Sequence, residues 1–209
     1  MTIRSKIQII DFGAGNIASV ANMIDYVGGT PEIVNSPDKL EYGVKTLLPG
    51  VGAFDYGMSC LEQGGWLPVL DQSVITERTP IMGICLGMQL MCKTSEEGRK
   101  PGLGWIDATA RRFAFSAESG LKVPHMGWNR VTVSKPNELA SNDPEEEKRF
   151  YFVHSYYVTC EKDQDAFLTC HHGHDFVAAF HRDNIWGVQF HPEKSHKFGM
   201  EIFRRFLEL

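Results

Sequence analysis

A cysteine stands where a predicted strand passes directly into a predicted helix, in the segment Gly83-Ile84-Cys85-Leu86-Gly87. This G-x-C-x-G pattern is the thiol counterpart of the nucleophile elbow, a sharp turn that exposes a nucleophile at the carboxyl end of a strand. The flanking glycines allow the turn and the neighbouring strand to approach closely, and the adjacent helix N-terminus favours the thiolate. Cys85 is therefore the candidate nucleophile, although the pattern also fits a buried cysteine packed between two glycines.

A nucleophilic cysteine needs a base and a group that orients the base. The segment Phe190-His191-Pro192-Glu193 offers both at the end of an apolar strand. Glu193 is close enough in the chain to hold one imidazole nitrogen of His191 while the other nitrogen faces the thiol. The sequence therefore predicts a catalytic triad of Cys85, His191 and Glu193 for acyl transfer.

Acyl transfer through a covalent intermediate also needs an oxyanion hole. Gly50, Val51 and Gly52 follow another predicted strand, and the glycines leave backbone amides free to point into a cleft. The backbone amide of Leu86, directly after the nucleophile, is the second candidate donor. Without the triad, the Gly50–Gly52 segment would also fit a simple glycine-rich turn.

Two other motifs suggest different functions. The segment Gly13-Ala14-Gly15-Asn16-Ile17-Ala18 fits G-x-G-x-x-A between a strand and a helix, which is typical of dinucleotide binding with Glu32 or Asp38 as the ribose acid. The segment Cys170-His171-His172-Gly173-His174 is dense in metal-ligand types, but a structural zinc site usually takes ligands from two separated segments. Because the first motif is short and the second also fits a strand end and turn, we expect no cofactor and no metal.

The elements that must position these residues alternate in the first half of the chain. Strands are predicted at residues 7–10, 31–34, 45–48 and 81–84, and helices at residues 16–27, 56–77 (broken near Gly64-Gly65 and Pro68) and 86–93. The second half reads as strands at residues 128–133, 150–160, 166–171, 176–180 and 185–190, an acidic solvated loop at 141–148 and a final helix at 195–209. This order predicts one α/β domain over residues 1–209, with a mixed, mostly parallel sheet covered on both faces.

Composition narrows the class of protein. Hydrophobic residues make up 43% of the 209 residues, enough for one substantial core. A net charge of -5 argues against nucleic acid as a partner, and no apolar run reaches the roughly 20 residues of a membrane span. The five cysteines include no CxxC pair, and no signal peptide is evident, so we expect reduced thiols in a cytoplasmic protein, with Cys92 as a core residue.

Taken together, these motifs resemble the class I (triad) glutamine amidotransferases nearly from end to end. The closest resemblance is to the glutaminase subunits of imidazole glycerol phosphate synthases. Besides the elbow and the His-Pro-Glu segment, the matching stretches are residues 10–16, 48–54 and 83–91, Val123-Pro124-His125-Met126-Gly127-Trp128-Asn129, Tyr151-Phe152-Val153-His154-Ser155-Tyr156-Tyr157 and residues 189–195.

The resemblance implies a single-domain, flavodoxin-like amidotransferase fold and a division of labour. Cys85 would attack the side-chain amide of L-glutamine, His191 would protonate the leaving ammonia and then activate water, and Glu193 would orient His191. The oxyanion would be held by the Gly50-Val51-Gly52 loop, whose Val51 peptide must reorient, and by the amide of Leu86. Residues that would hold the amino-acid end of glutamine are Gln89, His154, Ser155 and Tyr156.

The resemblance also implies a partner. This would be a (β/α)8-barrel cyclase subunit that forms a heterodimer with the chain, faces Asn16, Met126 and Trp128, and receives ammonia without its release to solvent. The pathway would be histidine biosynthesis.

A second branch of the family remains open. Trp105, Asp107 and Arg205 depart from the usual histidine-pathway pattern, and Asn22-Met23-Ile24 is similar to a paralogous branch that supplies ammonia to a sugar amidotransferase in surface-polysaccharide (O-antigen) biosynthesis. The glutaminase step is common to both branches, and only the acceptor of ammonia differs. Two further alternatives are a regulatory module without catalysis and a hydrolase that acts alone.

Overall fold

The computed structural model describes residues 5–140 and 147–209, and within these ranges the chain forms an α/β fold around one mixed sheet of twelve strands. The first half contains β1 (Lys6–Ile10), α1 (Ile17–Tyr26), β2 (Thr30–Val34), β3 (Thr46–Gly50), α2 (Phe54–Gln63), α3 (Trp66–Asp71), β4 (Ile81–Cys85), α4 (Leu86–Leu90), β5 (Cys92–Ser95) and β6 (Ile106–Arg112). The second half contains β7 (His125–Val133), β8 (Lys148–His154), β9 (Tyr156–Cys160), β10 (Ala166–His172), β11 (His174–Arg182), β12 (Ile185–Val188) and α5 (His196–Glu208). Most of the predicted acidic loop lies outside the described residues.

The sheet is parallel on one side and antiparallel on the other. Its main path runs β2-β1-β3-β4-β12-β11-β10-β7-β8, while β5, β6 and β9 branch from it through a β9–β11 pair. All pairs from β2 to β12 along this path are parallel, and those from β12 to β8 are antiparallel. The predicted mixed α/β fold is therefore confirmed, with its parallel part formed by β1–β4 and by β12 from the second half of the chain.

Successive residues of the parallel strands are buried on opposite faces of the sheet. Ile9 and Leu47 belong to one core cluster, whereas Ile10 and Leu48 belong to the other. Helices α1 and α5 pack on the first face, and α2, α3 and α4 on the second. Because both faces are covered, the sequences of these strands are continuous apolar runs and do not alternate between apolar and polar residues. Within the described residues, no helix is both long enough and apolar enough to cross a membrane.

Two sequence predictions of secondary structure were wrong in detail. The helix after the elbow ends at Leu90 rather than at residue 93, because the amides of Leu103 and Ile106 bond to the carbonyls of Leu90 and Met91 and draw the chain into a strand. Cys92 consequently begins β5, although it is a core residue as predicted. The single strand predicted over residues 150–160 is two strands that bend at Ser155 and pair with different neighbours.

Two further differences have simple causes. The break predicted at Pro68 does not occur because Pro68 lies in the first turn of α3, where its missing N–H has no intrahelical partner to lose. The break at Gly64-Gly65 is confirmed. Strand β6 was missed because its inward-facing positions include Ala108 and Ala110, which give little apolar signal.

The close approach of α4 to the end of β3 depends on Gly87. A β-carbon at this position would overlap the carbonyl oxygen of Leu48, so only glycine fits. The neighbouring Gly50 is similarly constrained, since its β-carbon would lie 2.9 Å from the backbone nitrogen of Gly87. These glycines allow the helix that follows Cys85 to pack directly on β3.

We expect Gly87→Ala to destabilise the protein by about 3 kcal/mol or more, because the methyl group would force α4 away from β3. Gly120→Ala is the matched control: Gly120 has φ +67°, but no atom lies within 4 Å of its added β-carbon. The control should lose only about 1–2 kcal/mol, from backbone strain alone. The measurement is urea unfolding, and equal losses in the two variants would contradict the steric explanation.

Candidate active site

The parallel strands bring three separate segments to one edge of the sheet. Gly50, at the end of β3, is in register with Cys85 at the end of β4, and β12 lies on the other side of β4. His191 follows β12 after a short extension of the chain. The Gly50 loop, the thiol and the imidazole therefore meet although they are distant in sequence, as expected where the carboxyl ends of parallel strands share an edge.

The backbone of Cys85 is strained. Its φ of 54° and ψ of -110° lie outside the regions that a residue with a side chain normally adopts. This conformation turns the chain sharply from β4 into α4, which is the geometry that the elbow motif predicts. The sulfur consequently points into a cavity rather than into the core.

His191 is held by a buried carboxylate. Its Nδ1 lies 2.8 Å from Oε1 of Glu193, and both side chains are only 2% exposed. Since a carboxylate accepts, Nδ1 carries the proton and donates it. The other ring nitrogen, Nε2, is buried and makes no conventional hydrogen bond with any described residue, and the Cys85 thiol approaches the ring at this side.

The ionisation of His191 reflects these neighbours. Burial by itself lowers the pKa of the imidazole, but the adjacent Cys85 side chain and the hydrogen bond and charge of Glu193 raise that pKa to about 10. The arrangement therefore favours an imidazolium held by the carboxylate of Glu193. Such an imidazolium, placed beside a thiol, can donate a proton to a leaving group.

Ser195 holds the turn that carries His191 and Glu193. Its hydroxyl donates to the carbonyl of His191 at 2.7 Å and accepts from the amide of Tyr151 at 3.0 Å. The amide of His191 also donates to the carbonyl of Tyr151 at 2.9 Å. The turn is thus fastened to β8, which explains how a residue beyond the end of a strand keeps a fixed position.

The loop predicted to form the oxyanion hole is engaged elsewhere. The amide of Val51 donates to the carbonyl of Ala14 at 2.7 Å, so this N–H is not directed at the space beside the thiol. Gly52 has φ +105°, which a residue with a side chain rarely adopts. In this state the Val51 amide is held by the turn that joins β1 to α1.

A cavity of about 350 Å³ opens at Cys85. Among the residues predicted from sequence, it is lined by Val51, Gly52, Cys85, Leu86, Gln89, His154, Ser155, Tyr156 and His191. Glu193 lies behind His191, and Gly50 packs against α4. A volume of this size suits a ligand as small as an amino acid.

The residues predicted to face a partner lie outside this cavity. Met126 and Trp128 are 62% and 46% exposed, and Asn16 is partly exposed at the start of α1. Trp128 stacks on His196, with ring centroids 5.5 Å apart. Pro124, which precedes Met126 on the same segment, lines the cavity and so links the exposed residues to its mouth.

Sequence reasoning missed several residues of the site. Glu97 and Lys194 line the cavity, and Gln189 lies behind it with its side-chain Nε2 3.8 Å from the sulfur of Cys85. Lys194 and Gln189 could have been noticed because they flank the His-Pro-Glu segment. Glu97 carries no such signal: β5 positions it, and its carboxylate accepts from the amide of Phe54 at 2.8 Å.

The two competing motifs have structural explanations. An added β-carbon on Gly15 would lie 2.8 Å from the carbonyl oxygen of Pro49, so this glycine allows the turn after β1 to pack against the end of β3. In the histidine-rich hairpin, His171 pairs with Asp175 and His172 lies within hydrogen-bonding distance of the carbonyl of Lys122. Within the described residues, no group of three or more His, Cys, Asp or Glu side chains could hold a metal ion.

Comparison with known proteins agrees with this geometry. A family model described as "Glutamine amidotransferase class-I" matches residues 8–209, and the chain belongs to that family. It is 49% identical to imidazole glycerol phosphate synthase subunit HisH 2 of Pseudomonas aeruginosa, over 97% of this chain and 99% of that protein. It is 48% identical to the protein of the same name from Methanococcus maripaludis, over 97% and 98% of the two chains. A solved glutamine amidotransferase has the same fold, with a TM-score of 0.74 at 16% identity over 97% of both chains.

We expect Glu193→Gln to destabilise the protein by about 3 kcal/mol near pH 6, because it removes one partner of a buried ion pair. The folded-state pKa of His191 is raised from 6.5 to about 10, so the contribution of the pair is fully present below pH 6.5 and is lost as the pH rises through about 10. Urea unfolding at pH 6 and pH 10 should show a difference from the unmodified protein that shrinks at the higher pH.

The exposed Glu118 provides the control, and Glu118→Gln should change stability little at either pH. A stability difference for Glu193→Gln that does not depend on pH would contradict the charged pair.

Proposed function

We propose that this chain is the glutaminase subunit of an imidazole glycerol phosphate synthase. It hydrolyses glutamine to glutamate and ammonia, and the ammonia passes to a cyclase subunit in histidine biosynthesis. The observation that carries the proposal is the arrangement of Cys85 and His191 at the wall of one cavity, with Glu193 behind His191, in a chain so similar to subunits of that synthase. The free thiols of all five cysteines suit a reducing cytoplasm.

The proposed reaction begins with attack by the Cys85 thiolate on the side-chain carbonyl carbon of glutamine. His191, protonated at Nε2, gives this proton to the nitrogen of the collapsing tetrahedral intermediate, so that the C–N bond breaks and ammonia leaves. A glutamyl thioester remains on Cys85. Neutral His191 then takes a proton from water, which attacks the thioester and releases glutamate, while Glu193 keeps the imidazole in one orientation throughout.

The negative oxygen of each tetrahedral intermediate needs hydrogen-bond donors. The amide of Leu86 begins α4 and lies beside the sulfur, and it is the first donor. The amide of Val51 is the second, but it must first exchange its bond with the carbonyl of Ala14 for one with the substrate. This need for reorientation supports an enzyme that is slow until its loop changes conformation.

The amino-acid end of glutamine is assigned to the part of the cavity that is lined by Gln89, the segment His154-Ser155-Tyr156 and Glu97. The negative charge of Glu97 suits the α-ammonium group of glutamine, and the hydroxyl groups of Ser155 and Tyr156 suit its α-carboxylate. The reacting amide would then extend toward Cys85.

The partner is assigned to the surface around the cavity mouth and would be a (β/α)8-barrel cyclase in a heterodimer. Met126, Trp128 and Val51 are large exposed apolar side chains in this region, and aromatic anchors are frequent hot spots of protein interfaces. Asn16 belongs to the turn whose Ala14 carbonyl holds the Val51 amide. Contact at this turn could therefore release Val51, which would couple ammonia production to the presence of the acceptor enzyme.

The residues that depart from the histidine-pathway pattern do not favour a different acceptor. Trp105 is buried and donates to Asp71, Asp107 pairs with Lys93, and Arg205 pairs with Glu201. Trp105, Asp107 and Arg205 are not among the residues that line the cavity. All three contacts are made within this chain. The departures therefore give no reason to prefer a polysaccharide enzyme as the acceptor of ammonia, and the synthase assignment stands.

We expect Cys85→Ala to reduce glutamine hydrolysis at least about 1,000-fold, because no other thiol lines the cavity among the described residues. The same variant bound to its cyclase should still make product from added ammonium salts, since the ammonia-using site is on the partner. Cys60→Ala, which removes a partly buried thiol outside the cavity, is the control and should hydrolyse glutamine normally. Glutaminase activity that persists in Cys85→Ala would overturn the proposed mechanism.

We expect Trp128→Ala to weaken binding of the cyclase subunit by roughly 30-fold or more, the effect of losing an aromatic anchor worth about 2 kcal/mol. Tyr26 is also an exposed aromatic residue, at the end of α1 opposite the cavity edge, and Tyr26→Ala should leave the affinity unchanged. Titration calorimetry with purified cyclase measures both. Equal effects of the two substitutions would place the interface elsewhere.

A further inference from the structure

Two buried glutamine side chains connect a backbone carbonyl to the sulfur of Cys85. Nε2 of Gln89 lies 3.1 Å from the carbonyl oxygen of Tyr156 and 3.1 Å from Oε1 of Gln189. Nε2 of Gln189 then lies 3.8 Å from the sulfur. Gln189 is completely buried, so its amide cannot exchange these partners for water, whereas Gln89 is 5% exposed where it lines the cavity.

The direction of each hydrogen bond in this series, from the Tyr156 carbonyl to the Cys85 sulfur, follows from the carbonyl. The carbonyl of Tyr156 can only accept, so Gln89 must present its NH2 group to it. The same NH2 group faces Gln189, which must therefore present its oxygen to Gln89. The amide of Gln189 has then only its NH2 group left for Cys85, and the sulfur receives a donor rather than an acceptor.

The carbonyl of Tyr156 also contacts a histidine, which a second histidine holds in turn. Nδ1 of His154 lies 2.8 Å from this carbonyl, and Nδ1 of His125 lies 2.9 Å from Nε2 of His154. Burial lowers the pKa of His154 to about 3 and that of His125 to about 4, so both rings are neutral near pH 7. Neutral His154 donates from Nδ1 and accepts at Nε2, so the carbonyl of Tyr156 accepts from both His154 and Gln89.

We propose that Gln189 is a positioning residue that donates a hydrogen bond to the Cys85 sulfur and stabilises its thiolate form, in an orientation that the Tyr156 carbonyl sets through Gln89. This inference deepens the proposed glutaminase function and rests on it. A thiolate is a much stronger hydrogen-bond acceptor than a thiol, so a fixed N–H favours the ionised form. The positive charge of His191 and the neutral donor of Gln189 would then hold the sulfur from two directions.

The backbone explains why Gln189 can hold this position. Its amide donates to the carbonyl of Ala178 at 2.8 Å, which fastens it to β11. Gln189 and His191 are separated only by Phe190, so the short segment after β12 brings both side chains to Cys85. Gln189 does not line the cavity, in contrast to Gln89, and therefore acts on the sulfur without touching the substrate.

The test compares Gln189→Met with a control, Gln8→Met. Gln8 is also completely buried and makes two hydrogen bonds to the backbone of Glu41, but it lies on β1, away from Cys85. Alkylation of Cys85 by iodoacetamide is followed by mass spectrometry as a function of pH, in the full chain. We expect the midpoint of this profile to rise by about 1 pH unit or more in Gln189→Met and to stay in place in Gln8→Met.

Kinetics supply the second readout. With the cyclase present, kcat for glutamine hydrolysis should fall about tenfold or more in Gln189→Met while KM changes little, because the lost contact is with the nucleophile and not with the substrate. A change confined to KM would overturn the proposal, and so would an unchanged alkylation midpoint. The same shift in Gln8→Met would show a general effect of losing a buried amide and would equally overturn it.

Gln189→Glu keeps the size of the side chain but replaces the donor by an acceptor, and it serves if the methionine variant does not fold. It should shift the alkylation midpoint upward at least as far.

In the unmodified protein, the side-chain amide signal of Gln189 in a 15N–1H NMR spectrum should shift as Cys85 ionises. An amide signal that does not shift during this titration would overturn the proposal. Alkylation of Cys85 that leaves glutaminase activity intact would instead contradict the proposed function.

Discussion

The strained turn at Cys85 depends on one close contact, in which Gly87 of α4 packs against the carbonyl of Leu48 in β3. The contact holds the start of α4 directly over the sheet, so the chain must reverse within the single residue that joins β4 to α4. The positive φ of Cys85 is the consequence, and the buried neighbours on both sides keep it in place. The direction of the sulfur, the position of the Leu86 amide and the wall of the cavity all follow from this geometry.

Polar groups near the sulfur are buried, and they are held in complementary pairs. Glu193 holds His191, and Ser195 fastens the turn that carries both. Gln89 and Gln189 form a second set, in which the carbonyl of Tyr156 determines which end of each amide faces the sulfur. In a partly enclosed site, such fixed dipoles act more strongly than they would in bulk solvent and need no reorganisation during the reaction.

One amide that the proposed mechanism requires is engaged elsewhere. The amide of Val51 bonds to the carbonyl of Ala14, in the turn before α1, instead of facing the cavity. Asn16 in that turn is partly exposed, and the large apolar side chains of Met126 and Trp128 are exposed on the segment that follows Pro124 at the cavity. Under the proposed function, a partner that covers these residues would contact the turn that holds Val51, and a single binding event would then link substrate access to activation.

The amino-acid sequence by itself determined the alternating strands and helices, the elbow at Cys85 and the histidine and glutamate that follow β12. These are local patterns, because apolar runs, tight glycine turns and short motifs depend on neighbouring residues in the chain. The branch of the sheet through β6, the bend at Ser155 and the positions of Glu97, Ser195 and Gln189 were decided only by the tertiary structure. Each depends on residues distant in sequence: small alanines become a strand because β5 and β9 pair with β6, and Gln189 faces a sulfur because β12 lies beside β4. Hydrogen-bond direction is likewise a property of the assembled chain, since a single carbonyl at Tyr156 orients two amides that no local pattern connects.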